Sequence, residues 1–419
     1  MFETEKQKER LILIGIDNDA SVFDIENSLK ELEELAKTAG AEAVGYMTQK
    51  KDTPDKATYF GKGKLEELKN YIEFKEADGV LCDDDLSPAQ IRNLERILKV
   101  KIISRTLIIL DIFAMRAASA EGKVQVELAQ LKYSLTHLTG HGREMSRLGG
   151  GIGTRGPGEK KLEIDKRLIS DRISELNKHL KQIEHHRTVL RQKREKNKIP
   201  VVALVGYTNA GKSTLLNKLT GSGVLAEDKL FATLDTTTRE YISAGGAKYL
   251  LTDTVGFIQK LPHGLIKAFR ATLEEVKYAD VLIHMVDASN PNRNEHILTV
   301  YQTLKELGAA DKPTITFYNK MDAPDIEMPL LPDRNALKTL MGSVKGEVGL
   351  EELVTQTEEA VKSLKRSVKV LIPYSEGKML SLIHGNCEIV SSSNEEQGYF
   401  FELYTDTETY NRLERYILQ

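Results

Sequence analysis

Cysteine is scarce in this sequence, with 2 among 419 residues, Cys82 and Cys387. Their wide separation excludes a disulfide framework and any paired-cysteine zinc spacing, so a reducing compartment is expected. An excess of charge of either sign is also missing. With 59 Lys and Arg against 62 Asp and Glu, the net charge identifies no partner, and only the placement of charge along the chain can. Long apolar runs are absent too. The first run, residues 11–16, is far shorter than the roughly 20 residues a membrane-spanning helix needs. Residues 1–10 are charged and carry no apolar signal core. A soluble cytoplasmic protein with no integral membrane contact is expected, and it is expected to be a monomer.

A chain of 419 residues exceeds what one compact core organises, and two to four domains are expected. In residues 1–115, short apolar runs at 11–17, 43–47 and 79–82 alternate with helical spacing at 25–39, 64–74 and 88–98. That alternation implies a parallel α/β sheet with crossover helices. No Gly-x-Gly-x-x-Gly turn follows any of these runs. Gly61-Lys62-Gly63-Lys64 reads as a surface turn before a helix. The period then changes. Val124, Leu128, Leu131, Leu135 and Leu138 step by four and three, as do Ile169, Ile173, Leu176, Leu180 and Ile183, with Leu190 seven further on. Residues 116–198 are therefore expected to form a projecting antiparallel helical hairpin, closed near Lys198 because Pro200 restrains the residue before it. Its tip is rich in glycine and includes Gly149, Gly150 and Gly151. From 199 to 366 buried strands resume at 201–205, 249–252, 281–286 and 314–318. Residues 367–419 read as a small α+β domain.

The third region carries the chemistry. Gly206-Tyr207-Thr208-Asn209-Ala210-Gly211-Lys212-Ser213 is a complete phosphate-binding loop between a Val-rich strand and a helical run. Its backbone N–H groups can curl around a β-phosphate at a helix N-terminus. Lys212 is placed to meet the β and γ phosphates, and the Ser213 hydroxyl to meet Mg²⁺. Asp253-Thr254-Val255-Gly256 follows the next strand. Asp253 suits Mg²⁺ through water, and the Gly256 N–H can sense the γ-phosphate. Asn319-Lys320-Met321-Asp322 ends a further strand. The Asp322 carboxylate can accept from both N1–H and the 2-amino group of guanine, donors that adenine lacks. Asn319 and Lys320 would brace this loop and cover the base, and Ser343-Val344-Lys345 could close over it. Within Phe231-Ala232-Thr233-Leu234-Asp235, Thr233 is the candidate to reach Mg²⁺ when the γ-phosphate is present, with Thr236, Thr237 and Thr238 as rivals. Lys212, Thr233 and Gly256 are the candidate catalytic residues, and Ser213 and Thr233 the candidate Mg²⁺ ligands. Phe257 stands where many GTPases place a glutamine to orient the attacking water. A central P-loop GTPase domain that binds GTP and GDP and hydrolyses GTP slowly, until a partner completes the site, is expected.

The helix of residues 160–198 holds more Lys and Arg than Asp and Glu. With Arg143, Arg147 and Arg155 in the glycine-rich tip, this points to RNA, because arginines take phosphates or stack on bases. Here a resemblance adds to the reading. Leu148-Gly149-Gly150-Gly151-Ile152-Gly153-Thr154-Arg155-Gly156-Pro157-Gly158-Glu159, followed by Lys161-Leu162-Glu163, resembles the signature of the HflX family of GTPases. So do Tyr59-Phe60-Gly61-Lys62-Gly63 and Leu110-Asp111-Ile112-Phe113. Thr236 and Lys160 depart from it, standing where a proline and a threonine are expected. The resemblance implies a factor that binds the large (50S) ribosomal subunit and its rRNA, and splits stalled or idle ribosomes. Its hairpin tip, with Arg143, Arg147, Gly149, Gly150, Gly151 and Arg155, would reach toward the peptidyl-transferase centre. Two rivals are a ribosome-protection factor that displaces an antibiotic and confers resistance, and a non-ribosomal GTP switch that recruits a protein effector.

Overall fold

A computed structural model describes residues 8–18, 24–138, 157–196, 199–221, 223, 230–243, 248–260, 270–324, 326, 330–364, 366–405 and 407–418. The tip residues Arg143, Arg147, Gly149, Gly150, Gly151 and Arg155 lie outside the described residues.

The first unit is a four-stranded parallel sheet in the order β2-β1-β3-β4. Its strands are β1 (Arg10–Asp17), β2 (Glu42–Lys50), β3 (Gly79–Cys82) and β4 (Lys101–Ser104). β1 reads as an apolar run, without alternation, because crossover helices cover both faces of such a sheet. The helices α1 (Ile25–Thr38), α2 (Lys62–Lys75) and α3 (Pro88–Leu98) connect the strands. α3 starts on a Ser87/Gln90 capping box with Pro88 in its first turn, two local signals that fix its start. The four-residue β4 and the helix after it, α4 (Arg105–Arg116), go beyond the strands and helices read from the sequence.

α5 (Ala120–Leu138) and α6 (Pro157–Lys196) form the helical arm. Ion pairs cross-link them, Arg172 with Glu127 at 2.7 Å and Arg187 with Glu121 at 2.8 Å. The pairing 127–172 and 121–187 makes the helices antiparallel. Leu176 is buried between them, while Ile169, Ile173, Leu180 and Ile183 are half-buried. Leu128 of the α5 seam is buried, and α5 also turns Val126 and Ala129 inward, into the core shared with the first sheet.

The second sheet has six strands in the order β10-β9-β8-β5-β7-β6. β5 (Val201–Gly206), β8 (Val281–Asp287) and β9 (Thr314–Asn319) are its buried centre. β7 (Lys248–Asp253) runs parallel to β5, and β6 (Thr237–Ile242) antiparallel to β7. The edges β6 and β10 (Lys338–Met341) lack continuous apolar character, so they do not stand out in the sequence. α7 (Lys212–Thr220), α8 (Arg270–Tyr278), α9 (Arg293–Leu307) and α10 (Leu350–Ser363) flank the sheet. One apolar core runs without a break from Leu11 and Leu13 of the first sheet, through Phe113 of α4, to Val205 and Phe257 beside the phosphate loop. The two α/β units are thus packed as one body at this seam.

Residues 366–405 build a third, antiparallel sheet, β11-β13-β12, from β11 (Arg366–Ile372), β12 (Glu388–Glu395) and β13 (Gly398–Thr405). It has its own small core around Val370, Ile372, Ile383 and Leu403. No helix among the described residues is long and apolar enough to cross a membrane.

Candidate nucleotide site

β5 ends at Gly206 and α7 begins at Lys212, so residues 206–211 bridge a buried strand and a helix N-terminus. The loop is held from two sides. The Thr208 N–H donates to the Phe257 carbonyl at 2.8 Å, and the Phe257 N–H to the Gly206 carbonyl at 3.1 Å. Asn319 Nδ2 donates to the Ala210 carbonyl at 3.0 Å. Gly211 has φ +96°, and a Cβ there would lie 2.3 Å from Asn319 Nδ2, so only glycine allows this approach. Asn209, Thr214, Ala232 and Thr254 join these elements in lining the cleft.

Lys212 is buried, and its ammonium donates to the carbonyls of Gly206 at 3.1 Å and Tyr207 at 2.7 Å. Burial pushes its pKa down to about 8, with Asp253 opposing. A cation held only by neutral carbonyls in a dry site is disposed to take an anion. A Cβ on Gly256 would sit 3.0 Å from Lys212 Nζ and 2.8 Å from Thr208 Cα. The loop 253–256 therefore reaches the ammonium because it presents bare backbone.

The Ser213 hydroxyl donates to Asp253 Oδ2 at 2.6 Å and lies 2.7 Å from Thr233 Oγ1. Asp253 is fully buried and its Oδ1 has no hydrogen-bond partner. Burial pushes its carboxyl up from the usual range, against the charge of Lys212. Two hydroxyls and an under-satisfied buried carboxylate converge here. An all-oxygen donor set of this kind fits a hard divalent cation such as Mg²⁺, which Ser213, Thr233 and Asp253 could hold. Thr238 pairs instead with Thr252 of β7 at 3.0 Å.

Other residues of the motifs serve the frame. The Thr254 hydroxyl donates to the Leu204 carbonyl at 2.6 Å, and Val255, Leu234 and Phe231 are core residues. Phe257 is 1% exposed within that core, so its side chain is unable to orient a water in the cleft. Asp235 is engaged elsewhere, with residues 118 and 119.

On the opposite side, Asn319 Oδ1 accepts from the Val344 N–H at 2.9 Å. One side chain thus ties the phosphate loop to Ser343-Val344-Lys345. Asp322 stands exposed at the rim. The Ser343 hydroxyl, and then its own backbone N–H, hold its carboxyl below the usual range, with Lys345 and Lys320 adding to this. The Met321 N–H donates to the Gly342 carbonyl at 3.1 Å, which anchors the turn before Asp322. Lys320 Nζ lies 2.7 Å from Asp287 Oδ2, so its ammonium is paired with the end of β8.

A polar cluster that sequence reading missed joins the phosphate loop to the first sheet. The Tyr207 hydroxyl donates to Glu31 of α1 and accepts from the Gln259 N–H at 2.8 Å. Glu31 and Asp83 both pair with the buried Arg105, and Lys260 pairs with Asp83 and Asp84. The acidic run Asp83-Asp84-Asp85 at the end of β3 was its only local signal. The His296 ring lies flat on Tyr207, with centroids 3.6 Å apart and planes 4° from parallel. Burial pulls its pKa down to about 4 from 6.5, with Asp287 opposing. A histidine depressed in the fold contributes stability that is fully present above pH 6.5 and is lost as pH falls toward 4, worth on the order of 3 kcal/mol at the limit. Melting temperature is expected to fall across that window, and His296→Phe should flatten the fall. An unchanged slope in that variant would show that His296 stays uncoupled from folding.

Three family models match the chain. "GTP-binding GTPase N-terminal" covers residues 26–114, "GTP-binding GTPase Middle Region" 116–194, and "50S ribosome-binding GTPase" 201–320. Similar proteins named GTPase HflX extend over nearly the full length. One from Lacrimispora saccharolytica is 50% identical, covering 99% of this chain and 97% of its own. One from Caldanaerobacter subterraneus subsp. tengcongensis is 49% identical, covering 100% and 96%. One from Escherichia coli is 39% identical, covering 95% and 93%. Matched along its whole length and through the loops that build the cleft, the chain belongs to the HflX family of GTPases.

Proposed function

We propose that this GTPase binds the large ribosomal subunit and uses GTP to separate stalled or idle ribosomes into subunits. Gly206 to Ser213 hold the phosphates, Ser213 and Thr233 the Mg²⁺, and Asp322 with Ser343 to Lys345 the guanine. When bound, Mg²⁺ would neutralise the β and γ phosphate oxygens. Lys212 supplies the second positive charge, and the Gly256 N–H meets the γ-phosphate. With Phe257 buried, this chain supplies no side chain at that position to orient water, so a ribosomal surface completes the site.

The observation that carries this reading is the arm. α5 and α6 run antiparallel, braced by the Arg172–Glu127 and Arg187–Glu121 pairs. Such a strut can transmit force, and its far end leads into residues 139–156 with Arg143, Arg147 and Arg155. Arginines beside glycines suit close contact with folded RNA.

Sucrose-gradient separation of ribosomal subunits with this protein and GTP tests the proposal. Splitting is expected, together with a GTPase rate well above basal. Deleting residues 146–157 should spare GTP binding and abolish splitting, while residual ribosome binding weakens steeply with salt as counterions are released. Splitting at the parent rate by the deletion variant would reject the arm as the working part. Intact ribosomes from which a drug is displaced would support protection instead.

A further inference from the structure

α5 contains a glycine in its first turn, Gly122, where alanine would favour the helix by roughly 1 kcal/mol. The structure gives the reason. A Cβ on Gly122 would lie 2.4 Å from Asp235 Oδ1 and 3.1 Å from Ser119 Oγ. Asp235 Oδ2 accepts from the N–H groups of Ala118 at 3.0 Å and Ser119 at 2.7 Å, and Oδ1 accepts from the Ser119 hydroxyl. Ser119 Oγ in turn accepts from the Gly122 N–H at 2.8 Å. The carboxylate is therefore seated in a pocket of donors at the root of the arm, and the missing side chain of Gly122 makes the room.

Asp235 lies two residues beyond Thr233. Between and before them, Leu234, Phe231 and Leu230 are buried in the same core as Ile112, Phe113 and Ala117. The Phe231 ring meets Phe113 edge-on, with centroids 4.7 Å apart and planes at 81°. Thr233 is thus pinned on both sides by contacts outside the nucleotide domain. This segment already brings the Thr233 hydroxyl within 2.7 Å of Ser213 Oγ. Glu121, next to Gly122, is bonded to Arg187 of α6, so the seat of Asp235 is coupled to both helices of the arm.

We infer that Asp235 is a positioning residue for the metal-binding threonine: its carboxylate, lodged against Ser119 and Gly122 at the root of the arm, holds Thr233 at the Mg²⁺ site. The inference rests on the reading of Thr233 as a Mg²⁺ ligand. It makes a glycine of the arm a determinant of metal dependence in another domain. A force that tilts the arm would loosen or tighten Thr233 without touching the nucleotide.

The test uses the full chain and a fluorescent, non-hydrolysable GTP analogue, with its release rate followed against Mg²⁺ concentration. Asp235→Ala and Gly122→Ala are each expected to raise the half-saturating Mg²⁺ by about fivefold or more, a normal size for coupling between sites. Because both break one contact, the double variant should show no further rise. Asp235→Asn keeps one acceptor oxygen and should fall between parent and alanine. Hydrogen exchange of the amides at 231–236, measured with Mg²⁺ and GDP, should rise in both single variants. Thr233→Ala is the control. If it leaves the Mg²⁺ requirement unchanged, the reading of Thr233 fails. If it raises the requirement while Gly122→Ala matches the parent in release and exchange, or the two variants add, the inference about Asp235 is overturned.

Discussion

Asp322→Asn is expected to lower GTP affinity by at least about a hundredfold and to raise the affinity for XTP, because a site built to pair with a donor rejects a ligand that mismatches it. A carboxylate presents two acceptors to the N1–H and 2-amino groups of guanine. An asparagine presents one acceptor and one donor, so its amide N–H faces the guanine amino group. Xanthine carries a carbonyl at that position and accepts the new donor. The Ser343 hydroxyl and Asp322's own backbone N–H hold its carboxyl below the usual range. The Met321–Gly342 hydrogen bond fixes its turn at 3.1 Å. Fluorescence titration with labelled GTP and XTP measures both affinities. Unchanged GTP binding would move the base pocket away from Asp322.

Arg105→Met is expected to destabilise the fold strongly. Arg105 is 1% exposed, and its guanidinium pairs with Asp83 at 2.7 Å and with Glu31. Burial pushes the Glu31 carboxyl up from its usual range, and Arg105 opposes this. Removing the guanidinium leaves two buried carboxylates short of a partner, at a cost of about 3–5 kcal/mol. Lys260 still reaches Asp83, so Glu31 should carry most of the loss, its carboxyl moving further above the usual range. Denaturant unfolding measures the effect. Glu31→Gln on the Arg105→Met background is expected to recover part of it, whereas a second loss of similar size would mean that the two residues act apart. Because Glu31 also accepts from the Tyr207 hydroxyl, the lost stability should include the seam beside the phosphate loop.

The nucleotide motifs were readable because each is contiguous. Residues 206–213, 253–256 and 319–322 all follow apolar strands, and the strand ends of a parallel sheet gather such loops at one edge. The two helices of the arm were readable because helical periodicity repeats over many residues; that α5 turns Val126 and Ala129 into the core was not. β6 and β10 were missed because they lack a continuous apolar run, and β4 because only Ile102 and Ile103 within it are aliphatic. The choice among Thr233, Thr236, Thr237 and Thr238 stayed open in the sequence, since all four are near enough along the chain to reach a metal. The structure sets Thr233 Oγ1 2.7 Å from Ser213 Oγ and pairs Thr238 with Thr252 of β7.

By itself the sequence determined the class of domain, the nucleotide loops and the helical arm, since these depend on residues close together along the chain. Only the tertiary structure decided how the parts are joined. Tyr207 meets Glu31 across 176 positions, Lys260 meets Asp83 across 177, and Asp235 meets Ser119 across 116. Each contact pairs common polar residues with no distinctive spacing. For Tyr207–Glu31 and Lys260–Asp83 their meaning comes from burial, which makes an unpaired charge or donor costly and so selects the partner that the fold brings near.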